Sequence, residues 1–169
     1  MTGAAPAFSG ADFRQTLASF PTGVTVITTR GHAHDYGMTA TAFSSVSLDP
    51  PLVLVCVITQ NDGAQLIPRN GVFAVNVLST EQEPLSNYFA SRDRPRGRDA
   101  FSEVSHREEA TGAPIFDGVA AFLDCRLVMT HEAGDHLIFI GEVAALGSYP
   151  EVKPLVFHGG GYGRLAGGG

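Results

Sequence analysis

Apolar positions recur along this chain in two rhythms, one helical near the start and one strand-like through most of the rest. Phe13, Leu17 and Phe20 fall at i, i+4 and i+7, the spacing of a single helix face. Ser9 followed by Asp12 supplies a capping-box start, and Pro21-Thr22-Gly23 a stop. The pattern then changes. Val24 to Thr29 is rich in β-branched residues, Gly31 to Asp35 reads as a polar turn, and Met38 to Ser47 as a second strand. Asp49-Pro50-Pro51 interrupts, because proline has no N–H to give to a ladder. Leu52 to Ile58 is an unbroken apolar run of strand length, which predicts a central strand buried on both faces. Val72 to Leu78, Ala120 to Thr130, His136 to Leu146 and the short Leu155 to Phe157 complete the strands. One further short helix is predicted at Asp62 to Ile67. Another runs from about Glu81 to Ala90, with Leu85, Tyr88 and Phe89 on one face and Pro84 in its first turn. Many strands with a few peripheral helices predict a mainly β, α+β domain of barrel-like type.

Composition narrows the partners. The 169 residues suit one domain, residues 1–169, with about 1–10 and 166–169 as loose ends. Hydrophobic residues make up 44% and charged ones 17%, a balance that leaves apolar surface for a subunit interface. A formal charge of -6 argues against nucleic acid, whose phosphates need clustered cations. The exception is local: Arg92, Arg94, Arg96 and Arg98 alternate along one stretch. The first residues, Met1 to Pro6, lack the basic and apolar regions of a signal peptide, and no apolar run is long enough to cross a membrane. A cytoplasmic protein is expected. Cys56 and Cys125 form no C-x-x-C pair, and Cys56 reads as a small buried hydrophobe.

Several familiar chemistries are missing. There is no G-x-S-x-G elbow and no phosphate-binding G-x-x-x-x-G-K loop. Gly161 to Ala166 fits the dinucleotide-binding glycine string, but no helix can follow it in the residues that remain. His32-Ala33-His34 reads as a hairpin tip without a matching ligand set, so no metal is expected. What stands out is Thr39-Ala40-Thr41-Ala42-Phe43-Ser44-Ser45-Val46-Ser47, a run of hydroxyls separated by small side chains. Such a strand offers a neutral, donor-rich surface to an anion or the polar edge of a heterocycle. Equally, it reads as an edge strand with its hydroxyls in water.

Three strings, Phe20-Pro21-Thr22-Gly23-Val24, Gly37-Met38-Thr39-Ala40 and Ser44-Ser45-Val46-Ser47-Leu48-Asp49-Pro50-Pro51-Leu52-Val53-Leu54-Val55-Cys56, together resemble the flavin reductase-like family. Phe73 to Leu78, Phe89-Ala90, Gly134-Asp135-His136 and Phe139-Ile140-Gly141-Glu142-Val143 extend the resemblance from about residue 13 to 165. It implies a split β-barrel that binds FMN or FAD, usually as a homodimer, and takes hydride from NADH or NADPH. Proteins of this kind supply reduced flavin to a separate monooxygenase. By the same resemblance Thr39, Ala40, Thr41, Ser45, Val46 and Ser47 lie along the flavin. Asn61 and the N–H groups opening the next helix stand where the flavin phosphate is held, beside an Asp62 that would repel it. Phe89, Ala90 and Arg92 match a segment that supplies a cation to the flavin, the other arginines reading as plain surface. His136 and Tyr162 fall where the nicotinamide pocket is placed; a strand-start histidine facing water is the alternative for His136. Hydride transfer between the two cofactors needs no general acid or base, so no catalytic side chain is assigned. Two other functions remain open: a flavoprotein holding FMN tightly and reducing its own substrate, and a non-enzymatic flavin-binding dimer.

Overall fold

A computed structural model describes residues 7–32 and 34–166. In chain order it runs α1 (Gly10–Ala18), β1 (Thr22–Gly23), β2 (Thr25–Thr29), β3 (Tyr36–Ala40), β4 (Phe43–Leu48), β5 (Pro51–Ile58), α2 (Gly63–Asn70) and β6 (Val72–Val77). Then follow α3 (Glu83–Ala90), β7 (His106–Arg107), β8 (Ile115–Phe116), β9 (Ala121–Ala133), β10 (His136–Ser148), β11 (Leu155–His158) and β12 (Gly161–Arg164). Seven strands form one antiparallel sheet in the order β3-β2-β6-β9-β10-β5-β4.

The expected strand from Met38 to Ser47 is two strands, and they lie on opposite edges of this sheet. Only Thr41 and Ala42 join them, and that connection spans at most roughly 11 Å. The sheet must therefore curl until its edges nearly meet. The corner is tight: the Phe43 N–H donates to the Thr41 carbonyl at 3.1 Å, and the Cys56 N–H to the Ala42 carbonyl at 3.0 Å. No ladder joins β3 to β4, so the observed architecture is a curled, mostly β, α+β fold with an open hydrogen-bonded sheet.

Burial corrects a second expectation. The strands buried on both faces are β2 and β6, not β5. Val24, Val26 and Ala74 belong to a core built on Phe89, Phe101 and Phe116. Ile27, Phe73 and Val75 face a second core with Val55 and Phe139. β5 lies next to the sheet's edge and alternates. Val53, Val55 and Val57 are buried, while Leu52, Leu54 and Cys56 are half-buried and Ile58 is exposed. An apolar run cannot reveal whether its second face meets core or surface.

The buried amide of Asn76 ties the two layers together. Its Nδ2 donates to the Val26 carbonyl and to Thr28 Oγ1, both at 3.2 Å, and its Oδ1 accepts the Phe116 N–H at 2.8 Å. A satisfied network of this kind fixes one arrangement of the segment crossing the sheet. α1 starts as predicted, with Ser9 and Asp12 forming the capping box. Its apolar face, however, stays outside the core: Phe13, which touches only the ring of Phe8 among the described aromatic residues, and Leu17 are exposed, as is Phe20 beyond it. Gly159 and Gly160, at φ of 60° and 83°, make the two-residue turn between β11 and β12. The Gly161 to Ala166 string thus opens with a hairpin strand.

Candidate functional site

β3 carries the hydroxyl-bearing strand past a cleft of about 230 Å³ at its N-terminal end. Tyr36 and Gly37 of β3 line one side of it, Gln60, Asn61 and Asp62 a second, and Arg92, Arg94 and Arg96 a third. Gly37 explains how α3 can sit so close. A Cβ there would stand 2.7 Å from Cε1 of Phe89, so only glycine lets that ring pack over the strand.

The residues singled out from sequence divide between two walls. Thr39 is half-buried and its Oγ1 donates to the Ser86 carbonyl at 2.6 Å, which fastens β3 to α3. The Ala40 carbonyl accepts Thr25 Oγ1 at 2.7 Å. Thr41, Ser45 and Val46 are exposed at the β3–β4 corner and beyond it, and Ser47 is half-buried. Phe89 is wholly buried, stacked on Phe116 with ring centroids 5.2 Å apart. Its side chain is core, and it serves the site by seating α3, which leaves Ala90 exposed at the helix end.

The α2 N-terminus does not offer the free N–H groups expected of it. Asn61 Oδ1 takes the Gly63 N–H at 3.0 Å, the Asn61 carbonyl takes that of Ala64 at 2.9 Å, and the Asp62 carbonyl that of Gln65 at 3.1 Å. With its first donors occupied, the helix has little to give an anion there. The cations supply that capacity instead. Arg92 is exposed and has no side-chain partner among the described residues. Arg96 Nη1 reaches Asp62 Oδ2 at 2.8 Å, which offsets the repulsive carboxylate. Arg94 is half-buried, with Nη2 donating to the Gly37 carbonyl at 2.5 Å and Nη1 to that of Ser91. Arg94 is therefore not the plain surface residue expected, while Arg96, with its side chain 81% exposed, keeps a surface position at the edge of the same cleft.

Tyr36, also missed, donates its hydroxyl to Asn61 Oδ1. Burial pushes its phenol above the ordinary tyrosine value, against the lowering charge of Arg94, so the hydroxyl stays a donor at neutral pH.

His136 and Tyr162 stand apart. His136 opens β10 opposite Ile58, on the rim formed where Thr59 donates its N–H to the Asp135 carbonyl at 3.0 Å. Its Nδ1 lies 2.7 Å from Asp135 Oδ1, and that hydrogen bond holds the Asp135 carboxyl below its ordinary value. Nδ1 thus occupied, Nε2 is the atom left for a ligand. Tyr162 meets the other wall, where its OH lies 2.9 Å from Ser86 Oγ and donates to Asn87 Oδ1 at 3.0 Å. Among the described residues, no hydrogen bond or ring contact joins the two. Among the described residues there is no group of three or more His, Cys, Asp or Glu that could hold a metal, and His32 and His34 are exposed. Ala33 lies outside the described residues.

Comparison with known proteins gives this geometry a relation. The sequence model of the flavin reductase like domain matches residues 17–166. The chain is 42% identical over 154 residues to an NADH-dependent FAD reductase of Streptomyces globisporus, covering 90% of this chain and 84% of that one. It is 39% identical over 159 residues to the flavin-dependent monooxygenase reductase subunit HsaB of Rhodococcus jostii, covering 94% and 80%. The solved NADH:FAD oxidoreductase SgcE6 of Streptomyces globisporus superposes with a TM-score of 0.89 at 39% identity, over 99% of each chain. A further structure of SgcE6 was solved in complex with NAD and FAD fragments. With most of its length matched by one domain, this chain belongs to the flavin reductase-like family.

Proposed function

We propose that this protein is an NAD(P)H:flavin oxidoreductase that reduces FMN or FAD and releases it to a separate monooxygenase. The observation that carries the reading is the continuity of β3, which runs from a three-arginine cleft to an exposed hydroxyl-rich corner. Arginines bind phosphate through bidentate hydrogen bonds and keep their charge at any working pH. The corner's hydroxyls and backbone suit the polar edge of a flat heterocycle. Nicotinamide and flavin supply the hydride chemistry themselves, C4 of one to N5 of the other. The chain's task is then to hold the rings at near-attack distance. Thr39, Ala40, Thr41, Ser45, Val46 and Ser47 line the flavin in this reading, with Arg92, Arg94 and Arg96 at its phosphate and Asn61 shaping the cleft wall. His136 Nε2 and Tyr162 flank the nicotinamide. The curled sheet is read as the family's split barrel, in a single domain over residues 1–169.

We further propose a cytoplasmic homodimer. The outer face of β9, β10 and β5 supports it, since Met129, Ile138, Ile140, Leu54, Cys56 and Ile58 form an apolar stripe by register, half-buried or exposed in the single chain. Contiguous apolar surface of that kind marks an interaction site.

The test is oxidation of NADH and of NADPH by the purified protein with FMN, FAD or no flavin added. Turnover that saturates in free flavin is expected. Turnover without added flavin would point to a tightly held FMN with its own substrate, and none under any flavin would end the enzyme reading.

A further inference from the structure

The two walls of the cleft are linked by the exposed Arg96–Asp62 ion pair and, closer to β3, by a side-chain relay. Arg94 is the one arginine of the alternating set whose guanidinium is fixed by two carbonyls, Gly37 on β3 and Ser91 at the end of α3. It also lies over two rings, 5.4 Å from the centroid of Tyr36 and 5.8 Å from that of Phe89. Tyr36 in turn donates to Asn61 Oδ1, and the same oxygen accepts the Gly63 N–H at 3.0 Å. The path therefore crosses from the loop after α3, over β3, to the turn that starts α2. Gly63 leaves room for it: a Cβ there would stand 3.0 Å from Cε1 of Tyr36.

We infer that Tyr36 is a positioning residue for flavin, holding the Asn61 turn and the arginine loop at a fixed separation through the Arg94–Tyr36–Asn61 relay. The inference rests on the proposed reading of the cleft as the flavin phosphate site. Within that reading it assigns Arg94 a role different from that of its neighbours. Arg92 presents its charge to the ligand and Arg96 neutralises Asp62 beside it, whereas much of Arg94's donor capacity is already committed to the backbone. Its fork shape, more than its charge, is what the relay uses, and lysine cannot reproduce a fork. A separation set in this way favours one length of anionic group between the walls, so the relay acts on flavin affinity and leaves the nicotinamide side alone.

The experiment measures flavin dissociation constants by fluorescence quenching, and steady-state KM and kcat, for FMN and for FAD. Tyr36→Phe keeps the ring under Arg94 and removes only the hydroxyl. Loss of one partly buried hydrogen bond predicts a flavin Kd raised roughly three- to tenfold, with kcat at saturating flavin changed less than threefold and the NADH KM unmoved. Arg94→Lys should match Tyr36→Phe in direction although its charge is intact. Arg92→Ala with Arg96→Ala tests the cleft itself and should weaken both flavins. If the double variant weakens flavin and Tyr36→Phe does not, the relay is overturned and the site stands. If neither weakens flavin, the site reading falls and the relay with it. An Arg94→Lys variant with wild-type affinity would also overturn the relay, because charge alone would then suffice.

Discussion

A histidine on a hairpin rim can be a solvated strand start or a ligand, and kinetics tells the two apart. Asp135 occupies Nδ1 of His136 at 2.7 Å, which leaves Nε2 for another partner. The ring sits opposite Ile58, three positions before Asn61 in the cleft wall. If His136 has the nicotinamide role proposed above, removing it costs nicotinamide contacts and spares the flavin phosphate. His136→Ala is expected to raise the KM for the reduced nicotinamide about tenfold, within what one lost hydrogen bond or ring contact supplies. The flavin Kd should change less than twofold. Unchanged nicotinamide kinetics in this variant would return His136 to the status of a surface residue. Asp135→Asn is the companion test, since it keeps a hydrogen-bond acceptor while removing the charge, and should produce a smaller rise than His136→Ala.

At the level of elements, the sequence spoke clearly where one period governed one environment. Ser9 and Asp12 cap α1 as their spacing predicts, and Val72 to Val77 forms a strand beside Thr25 to Thr29. It was silent where tertiary geometry decides. Met38 to Ser47 carries no proline or glycine to mark a break, and only the adjacent Ala42-Phe43 and Ser44-Ser45 pairs disturb its alternation, yet the strand divides at Thr41-Ala42 because the curled sheet needs a corner there. The long apolar run of β5 pointed to the centre of the sheet, but the doubly buried strands are the Thr-rich β2 and the Asn-bearing β6. Their polar side chains are satisfied internally, through Thr28 and Asn76, and so burial does not penalise them. In the site, the resemblance drew attention to Arg92, while Arg94, Arg96 and Tyr36 emerge only from the way α3 docks on β3. That docking depends on Gly37. Gly37→Ala would set a Cβ 2.7 Å from Phe89, a fully buried ring with little freedom to yield. Overpacking of this kind costs about 1–3 kcal/mol, visible as a lower urea midpoint with an unchanged slope. Gly10→Ala, with open space around it, serves as the control and should be neutral or slightly stabilising. Equal midpoints for the two variants would contradict the packing argument.

For the whole molecule, the question is what covers the outer face of β9, β10 and β5. Cys56 offers a built-in reporter, because it lies in the middle of that stripe, paired with Ile138 and two residues from Leu54. Burial pushes its thiol up even in the single chain, and Cys125, deep in the second core, is pushed up to about 12. Thiol reagents attack the thiolate, whose share falls as the pKa rises above the working pH. Cys125 should therefore be silent in any folded form. Cys56 should be silent only while a second copy covers it. Ile140→Glu places a charge on the outer face beside Met129 and Leu54, and desolvating an unpaired carboxylate in an apolar interface is costly. The wild-type protein is expected to sediment as a dimer with neither thiol reacting near pH 8 over minutes. The Ile140→Glu variant should sediment as a monomer and expose one of the two thiols, Cys56, with raised pH speeding the reaction as more thiolate forms. A wild-type monomer, or a Cys56 that reacts equally in both proteins, would mean that this face is not the dimer interface.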